Sequence, residues 1–333
     1  RVHGHQQMNI NVLFTSIGRR VELLNAWKKA YAQLGLSGKI IGTDIDQLAP
    51  AAQFVDSFHL VPPTADVDFI PALRKICTEH AVQLVFPLTD TDLPVLSESK
   101  TELQTTGATV MVSDTETIAM TGDKWSTYEL FSACNLSTPK TWLPQDEPLS
   151  EIPLFIKPRY GSAGKHAQKV NDEQELAYCL ARTPDPIIQE YIAGPEVTSD
   201  VLCDLSGSLL GLVSRERIEV RWGEVAKGKT IFDRNIAAGC EKLVQKLGVV
   251  GPITVQCIVS DKIPYFIEIN ARYGGGAPLG FAAGVNSPAW YLNIAAGQDL
   301  NLPPLGSYKT GLYLTRYDTS LFLNDNEIES NSI

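Results

Sequence analysis

The chain has 333 residues, 44% of them hydrophobic, and carries 38 acidic against 28 basic side chains, a formal charge of −10 at neutral pH. Length and apolar content allow two or three domains with substantial cores and exclude a disordered or fibrous polymer. The acidic balance argues against a nucleic-acid partner, because phosphate-backbone affinity comes from concentrated Lys and Arg, so any polyanionic ligand has to meet a local cationic patch.

No stretch approaches the ~18 uninterrupted apolar residues of a membrane helix, and no basic segment leads into an apolar run near the start, so a cytoplasmic protein without a membrane partner is expected. Cys77, Cys134, Cys179, Cys203, Cys240 and Cys257 include no CxxC pair and read as reduced, mostly buried thiols. His3 and His5 precede Met8 in a stretch that reads as a tag remnant or an upstream extension. His59, His80 and His166 are too scattered for a histidine metal site. Any metal is therefore expected on carboxylates and amides, which suit Mg²⁺ or Mn²⁺.

Residues 10–15 form an apolar run, 20–34 have helical spacing, and 39–44 are apolar again and end at Asp44. A helix over 68–80, a strand over 83–88, a helix over 93–103 and a strand over 109–112 continue the pattern. Residues 8–113 thus read as an α/β domain with a doubly wound parallel sheet. Its first turn, Thr15-Ser16-Ile17-Gly18-Arg19-Arg20, has one glycine where a dinucleotide site shows GxGxxG, so Asp44 and Asp46 are a weak ribose signal. An anion site beside Arg19 and Arg20, or a plain surface turn, is the better reading.

Helical residues over 114–135 follow, then a Pro-rich stretch over 139–153 and strands over 154–158, 167–170 and 187–192, with a helix over 172–181. The third region reads as strands over 197–205 and 209–216, a helix over 231–247, a hairpin over 253–270, a glycine run and a helix over 288–296. From Asp318 the chain is polar and acidic and is expected to be loosely held.

The hairpin carries the strongest chemical signal. In Ile267-Glu268-Ile269-Asn270-Ala271-Arg272, alternation puts Glu268, Asn270 and Arg272 on one face and the isoleucines in the core. Antiparallel pairing centred near Lys262 sets Gln256 opposite Glu268. Three oxygen ligands, Gln256, Glu268 and Asn270, then converge as an octahedral Mg²⁺ requires, with water and substrate phosphates completing the shell. The competing reading is the polar outer face of an amphipathic strand.

A second signal is Phe155-Ile156-Lys157-Pro158-Arg159-Tyr160-Gly161-Ser162-Ala163-Gly164-Lys165. A lysine at the end of an apolar strand needs an anion, and the Gly-Ser-Ala-Gly loop can bring its N–H groups close to phosphates. The segment reads as a mobile lid over a triphosphate, against an exposed turn. The rival is Gly223-Glu224-Val225-Ala226-Lys227-Gly228-Lys229-Thr230, which fits GxxxxGK[ST]. Too little chain follows it for the parallel sheet of a P-loop domain, and Glu224 would oppose the phosphates. It is expected instead as a strand-to-helix connection, where Lys227, Lys229 or the nearby Arg215, Arg217 and Arg221 could help bind phosphate or substrate.

With these segments in this order the chain resembles the ATP-grasp superfamily, and most nearly the ATP-binding modules of carbamoyl-phosphate synthase large chains, over residues 114–316, with 8–113 matching the α/β domain that precedes such modules. The resemblance implies an α/β domain (8–113), a two-lobed α+β module with a small lobe (114–189) and a large lobe (190–317), and a polar tail (318–333). It implies that Lys124, in Thr121-Gly122-Asp123-Lys124, and Lys157 contact the nucleotide phosphates beside Gly161, Ser162 and Gly164. Gln189-Glu190-Tyr191-Ile192 would read adenine through its backbone, Glu196 would take the ribose hydroxyls, and Arg272 would face the transferred phosphoryl group or the acyl phosphate. The implied activity is a carboxylate-amine or carboxylate-thiol ligase that uses ATP and works through an acyl phosphate, with Arg272 and Lys157 at the chemistry. The expected partners are ATP, a small carboxylate and an amine, with a homodimer allowed for. Full carbamoyl-phosphate synthesis is not expected from a single module, and a small-molecule kinase or an ATP-binding regulatory protein are the alternatives.

Overall fold

The computed structural model describes residues 8–146 and 151–330; the residues before Met8, part of the Pro-rich stretch and the last three residues lie outside it. The chain opens with β1 (Val12–Thr15), α1 (Val21–Leu34), β2 (Ile40–Asp44), β3 (Ser57–Leu60), α2 (Phe69–Glu79), β4 (Leu84–Pro87), α3 (Leu93–Glu98), α4 (Lys100–Gln104) and β5 (Thr109–Val110). The strands pair in parallel in the order β3-β2-β1-β4-β5. β1, β2 and β4 are buried along their whole length, which explains their unbroken apolar runs: a parallel sheet has helices on both faces. The half-exposed edge strand β3 lacks that run and was not anticipated. The chain order reverses between β1 and β4, so the crevice at their carboxyl ends is the switch point of the sheet, where such folds bind ligands. Arg20 follows β1 and Asp90 follows β4 at that crevice.

The helical stretch expected over 114–135 is two helices, α5 (Thr115–Gly122) and α6 (Lys124–Ala133). Asp123 leaves helical geometry between them, and its carboxylate accepts the Trp125 N–H at 3.0 Å. Next come β6 (Thr141–Trp142), β7 (Leu154–Pro158), β8 (Gln168–Val170), α7 (Glu173–Arg182) and β9 (Pro186–Glu190). Their strands form a small antiparallel sheet in the order β6-β9-β7-β8.

The rest of the described chain is β10 (Glu196–Cys203), β11 (Leu209–Arg221), β12 (Glu224–Ile231), α8 (Arg234–Leu247), β13 (Pro252–Ser260), β14 (Ile263–Asn270), α9 (Ala277–Ala282), α10 (Ser287–Ala295), β15 (Tyr313–Thr315) and α11 (Asp325–Glu329). A six-stranded antiparallel sheet runs β14-β13-β10-β11-β12-β15. α8 buries Ile236, Cys240, Leu243, Val244 and Leu247 at helical spacing. Its Gly239 lets the helix lie close to β14, since a Cβ there would stand 2.3 Å from the Phe266 ring. None of residues 318–330 is buried. No helix of the described residues is long and apolar enough to cross a membrane.

One expectation is corrected outright. The segment Gly223 to Thr230 does not connect a strand to a helix: from Glu224 it is β12, paired antiparallel with β11 across the Trp222-Gly223 turn. The Thr230 hydroxyl, a Mg²⁺ ligand in a P-loop, donates to the Lys309 carbonyl (2.7 Å) and accepts the Leu312 N–H (3.0 Å). α8 begins only at Arg234, so no helix N-terminus faces the motif. Thr230→Val should therefore lower the unfolding free energy in urea by about 1–3 kcal/mol, the cost of stranding two partly buried backbone groups. Calorimetric affinity for Mg-ATP should not change. A folded variant that had lost nucleotide binding would restore the P-loop reading.

Candidate active site

The polar row of the hairpin depends on one extra residue. β13 and β14 close through Asp261-Lys262, both in left-handed backbone, with Ser260 opposite Ile263 and Cys257 opposite Phe266. Continued unchanged, that register would put Ile267 opposite Gln256. A bulge at Ile267 shifts it, so that Gln256 faces Glu268 and Thr254 faces Asn270. A hairpin centred on Lys262 predicts the same pairs without the bulge. The bulge also corrects the core assignment: Phe266 and Ile269 are buried, while Ile267 is half-buried.

Gln256, Glu268, Asn270 and Arg272 do lie together. The Asn270 amide donates to Glu268 Oε1 (3.2 Å), Thr254 Oγ1 donates to Asn270 Oδ1 (3.4 Å), and Gln256 Nε2 donates to Glu196 Oε2 (3.1 Å). Glu196 is also paired with Arg217 at 3.0 Å. Arg272 Nη2 donates to Asp90 Oδ2 at 2.8 Å, and the Asn270 amide reaches the same carboxylate at 3.4 Å. The sequence reading missed Asp90. Its signal was available, an acid just after a buried parallel strand, but nothing local says that this strand end faces the hairpin. Among the described residues no group of three or more His, Cys, Asp and Glu side chains forms a metal centre. One carboxylate and two amides make a hard-oxygen set of low charge, which fits Mg²⁺ or Mn²⁺ together with the phosphate oxygens of a nucleotide.

Lys157 is only 7% exposed, near the end of β7, and no acid pairs with it among the described residues. Burial lowers its pKa to about 8; Glu268 and Glu196 pull it upward and Lys124 pushes it down. The Lys124 ammonium donates to the Gly161 carbonyl at 2.6 Å and so holds the start of the glycine loop. Arg159 is fastened to Asp123 by a two-pronged pair at 2.7 and 2.8 Å. The loop itself, with Gly161 and Gly164 in left-handed backbone, reaches the turn between β11 and β12. Ala163 lies so near Gly223 that a Cβ there would meet its Cα at 2.9 Å.

β9 ends at Glu190, so Tyr191 and Ile192 belong to the connector to β10 and not to the strand expected over 187–192. The Glu190 N–H donates to the Lys140 carbonyl (2.8 Å), and its carboxylate accepts the Lys140 N–H (2.9 Å). The Tyr191 ring lies under the Lys169 ammonium at 4.4 Å.

A cleft of about 300 Å³ opens between the three sheets, and Ser162, Ala163, Gln256, Asn270 and Arg272 are among its walls. Lys124, Lys157, Gly161, Gly164, Glu190, Tyr191, Ile192, Glu196 and Glu268 do not line it. Arg20, Arg215 and Arg217 add three guanidinium groups, against the carboxylates of Asp90 and Glu224. This wall of the cleft is therefore basic although the chain as a whole is acidic. Gly274-Gly275-Gly276 makes room for it: a Cβ on Gly276 would lie 2.2 Å from Arg215, whose guanidinium is buried against Asp200 at 2.9 Å.

A buried unpaired lysine beside a glycine loop on one antiparallel sheet stands near a carboxylate, amide and guanidinium row on another, an arrangement chemically suited to phosphate. Comparisons with known proteins give its setting. Residues 121–276 are an ATP-grasp domain, residues 12–111 match the PylC-like N-terminal domain, and the chain is homologous to carbamoyl phosphate synthase large chains and other ATP-grasp ligases. It is 26% identical over 180 residues to a D-alanine--D-alanine ligase of Fusobacterium nucleatum, covering 51% of this chain and 61% of that protein. It is 28% identical over 229 residues to a carbamoyl phosphate synthase large chain of Thermoanaerobacter sp., covering 62% of this chain and 21% of that one. It thus spans less than two thirds of either relative. The fold is shared with the biotin carboxylase domain of Hydrogenobacter thermophilus 2-oxoglutarate carboxylase, solved with MgADP, ADP and bicarbonate (TM-score 0.71, 18% identity, 91% of this chain and 73% of that one).

The lowering of the Lys157 pKa from 10.5 to about 8 fixes a pH dependence. Charging this buried amine costs about 3 kcal/mol. The cost is present in full below the folded pKa, where both folded and unfolded states are protonated, and is relieved as pH rises from about 8 toward 10.5. Lys157→Met should therefore stabilise the nucleotide-free protein at neutral pH, with the advantage shrinking as urea unfolding is repeated up to pH 10. Mg-ATP affinity should fall at least about tenfold, the loss of one charge-assisted contact. A stability difference that does not vary with pH would refute the unpaired-ammonium assignment.

Proposed function

We propose that the protein is an ATP-dependent ligase that activates a small carboxylate as an acyl phosphate and passes the acyl group to an amine, or to a thiol. The observation that carries this reading is that Lys157, unpaired and buried, lies within the electrostatic reach of Glu268, which belongs to the row of Glu268, Asn270 and Arg272. Its neighbours support it: a D-alanine--D-alanine ligase and carbamoyl phosphate synthase large chains among relatives, and a carboxylase domain solved with MgADP and bicarbonate among similar folds.

In this reading Lys124 and Lys157 balance the charge of the triphosphate, and the N–H groups of Gly161, Ser162 and Gly164 cover it. At an effective dielectric near 20, a cation about 4 Å from a phosphate charge contributes ~4 kcal/mol. The connector through Glu190, Tyr191 and Ile192 receives adenine on its backbone, and Glu196 the ribose. Gln256, Glu268 and Asn270 would hold Mg²⁺ or Mn²⁺, which supplies charge neutralisation at the β- and γ-phosphates. A carboxylate oxygen of the acid attacks the γ-phosphorus; its bond to the bridging oxygen breaks and ADP leaves with that electron pair. Arg272, fixed by Asp90, faces the phosphoryl oxygens as they move. The amine then attacks the acyl carbon, inorganic phosphate departs, and the amine proton is lost to the medium. No histidine or cysteine is needed, since the chemistry rests on positioning and charge.

The reading is tested by assaying acid and amine pairs for ADP and phosphate release, with mass spectrometry of the product. ADP formed with the acid alone and phosphate retained on the product would make the protein a kinase. Glu268→Gln should fold normally and lose turnover by roughly 10²-fold or more, as when a main charge stabiliser is removed; a folded variant of undiminished rate would sink the metal assignment. Hydrogen exchange of residues 160–166 should slow on addition of Mg-ATP more than exchange in β7 and β8, because the loop amides gain phosphate partners. Equal exchange with nucleotide demonstrably bound would make the loop an ordinary turn.

A further inference from the structure

The turn after β1 sends two adjacent arginines in opposite directions. Arg19 is exposed, paired with Asp318 at 3.2 Å and set over the Trp222 ring at 5.4 Å. Arg20 turns inward to the cleft, with its side chain 15% exposed. Its Nη2 donates to the Leu88 carbonyl at 3.2 Å, its Nε stands 3.8 Å from Glu224, and its Nη1 is buried with no partner. The Nε of Arg272, on the same cleft, is likewise buried and bare. A buried guanidinium N–H without an acceptor costs free energy, and two on one cleft are hard to account for as packing.

Glu224 pairs with Arg20 only at 3.8 Å and through Nε, so it leaves Nη1 without an acceptor, and the other acids at hand are committed elsewhere. Asp90 holds Arg272 at 2.8 Å, and Asp200 holds the buried Arg215 at 2.9 Å. Arg316 adds further positive charge nearby, fixed by Glu22 at 3.0 Å and by the Gly275 carbonyl at 2.6 Å. Burial, then Arg272 and Arg316, press the Arg20 pKa down to about 10, with Glu224 and Asp90 offsetting part. At neutral pH the guanidinium remains charged, and its Nη1 has no acceptor although Glu224 stands near its Nε. It also sits at the switch point of the parallel sheet, where its backbone leads into α1.

We infer that Arg20 is a specificity residue whose free N–H groups, with those of Arg272, bind an oxyanion carried by a substrate, a carboxylate or a phosphate. This rests on the ligase reading and narrows it: one of the two substrates bears a fixed negative group in addition to its reacting group.

The test separates the two claims. The protein is first saturated with the Mg²⁺ complex of a non-hydrolysable ATP analogue, which fills the nucleotide site, and is then titrated calorimetrically with malonate and, separately, with inorganic phosphate. Wild-type protein should bind one of them, the stronger arm identifying the oxyanion. Arg20→Met should weaken that binding by roughly tenfold or more, as for loss of a charge-assisted hydrogen bond, and Arg20→Lys should recover part of it. Affinity for the ATP analogue should be unaltered in both. Arg20→Gln, which keeps a donor for the Leu88 carbonyl, serves if the methionine variant does not fold. In turnover, the variants should raise KM for the anionic substrate while sparing kcat, and should not discriminate against its amide-capped analogue. Binding of neither anion, or equal binding by wild type and variants, overturns the inference. Failure of wild type to bind the ATP analogue would instead overturn the ligase reading.

Discussion

The pair between Arg272 and Asp90 organises the site. It joins the end of the hairpin on the large antiparallel sheet to the carboxyl end of β4 in the parallel sheet, at 2.8 Å and mostly out of solvent. Asn270 leans on the same carboxylate and on Glu268, so one acid from the first domain sets the position of a row that belongs to another. A charge-assisted contact of this kind adds orientation to whatever stability it supplies. A change in how the two sheets sit would move Arg272 relative to Glu268 and Lys157 together.

Charge distribution follows a consistent pattern. The chain as a whole is acidic, yet its central cleft is rich in guanidinium groups, and β7 carries a lysine that burial alone would rather discharge. Holding cations in place before an anion arrives costs folding free energy, which here is spread over a buried pair (Arg215 with Asp200), a tethered lysine (Lys124 on Gly161) and a bare one (Lys157). Preorganised charge needs no rearrangement when the anion binds, which makes it effective for phosphoryl transfer. The glycines after the hairpin serve the same end. At Gly276 a side chain would displace Arg215, and at Gly275 it would crowd Glu224 and Arg20.

The amino-acid sequence alone determined the parts whose physics is local. Unbroken apolar runs marked β1, β2 and β4 because both faces of a parallel sheet are covered, and strict alternation in β14 put Glu268 and Asn270 on one face. Lys157 stood out because an ammonium at the end of an apolar strand lacks a cheap local partner. The tertiary structure decided the rest. A motif that matches a P-loop letter for letter is strand β12, because its hydroxyl and amides are taken up by β11 and by the segment around Lys309 and Leu312, far along the chain. The bulge at Ile267, the inward turn of Arg20 and the arrival of Asp90 beside Arg272 all depend on contacts between residues distant in sequence. Side-chain periodicity says which face a residue occupies; only the packing of the sheets against one another says what that face meets.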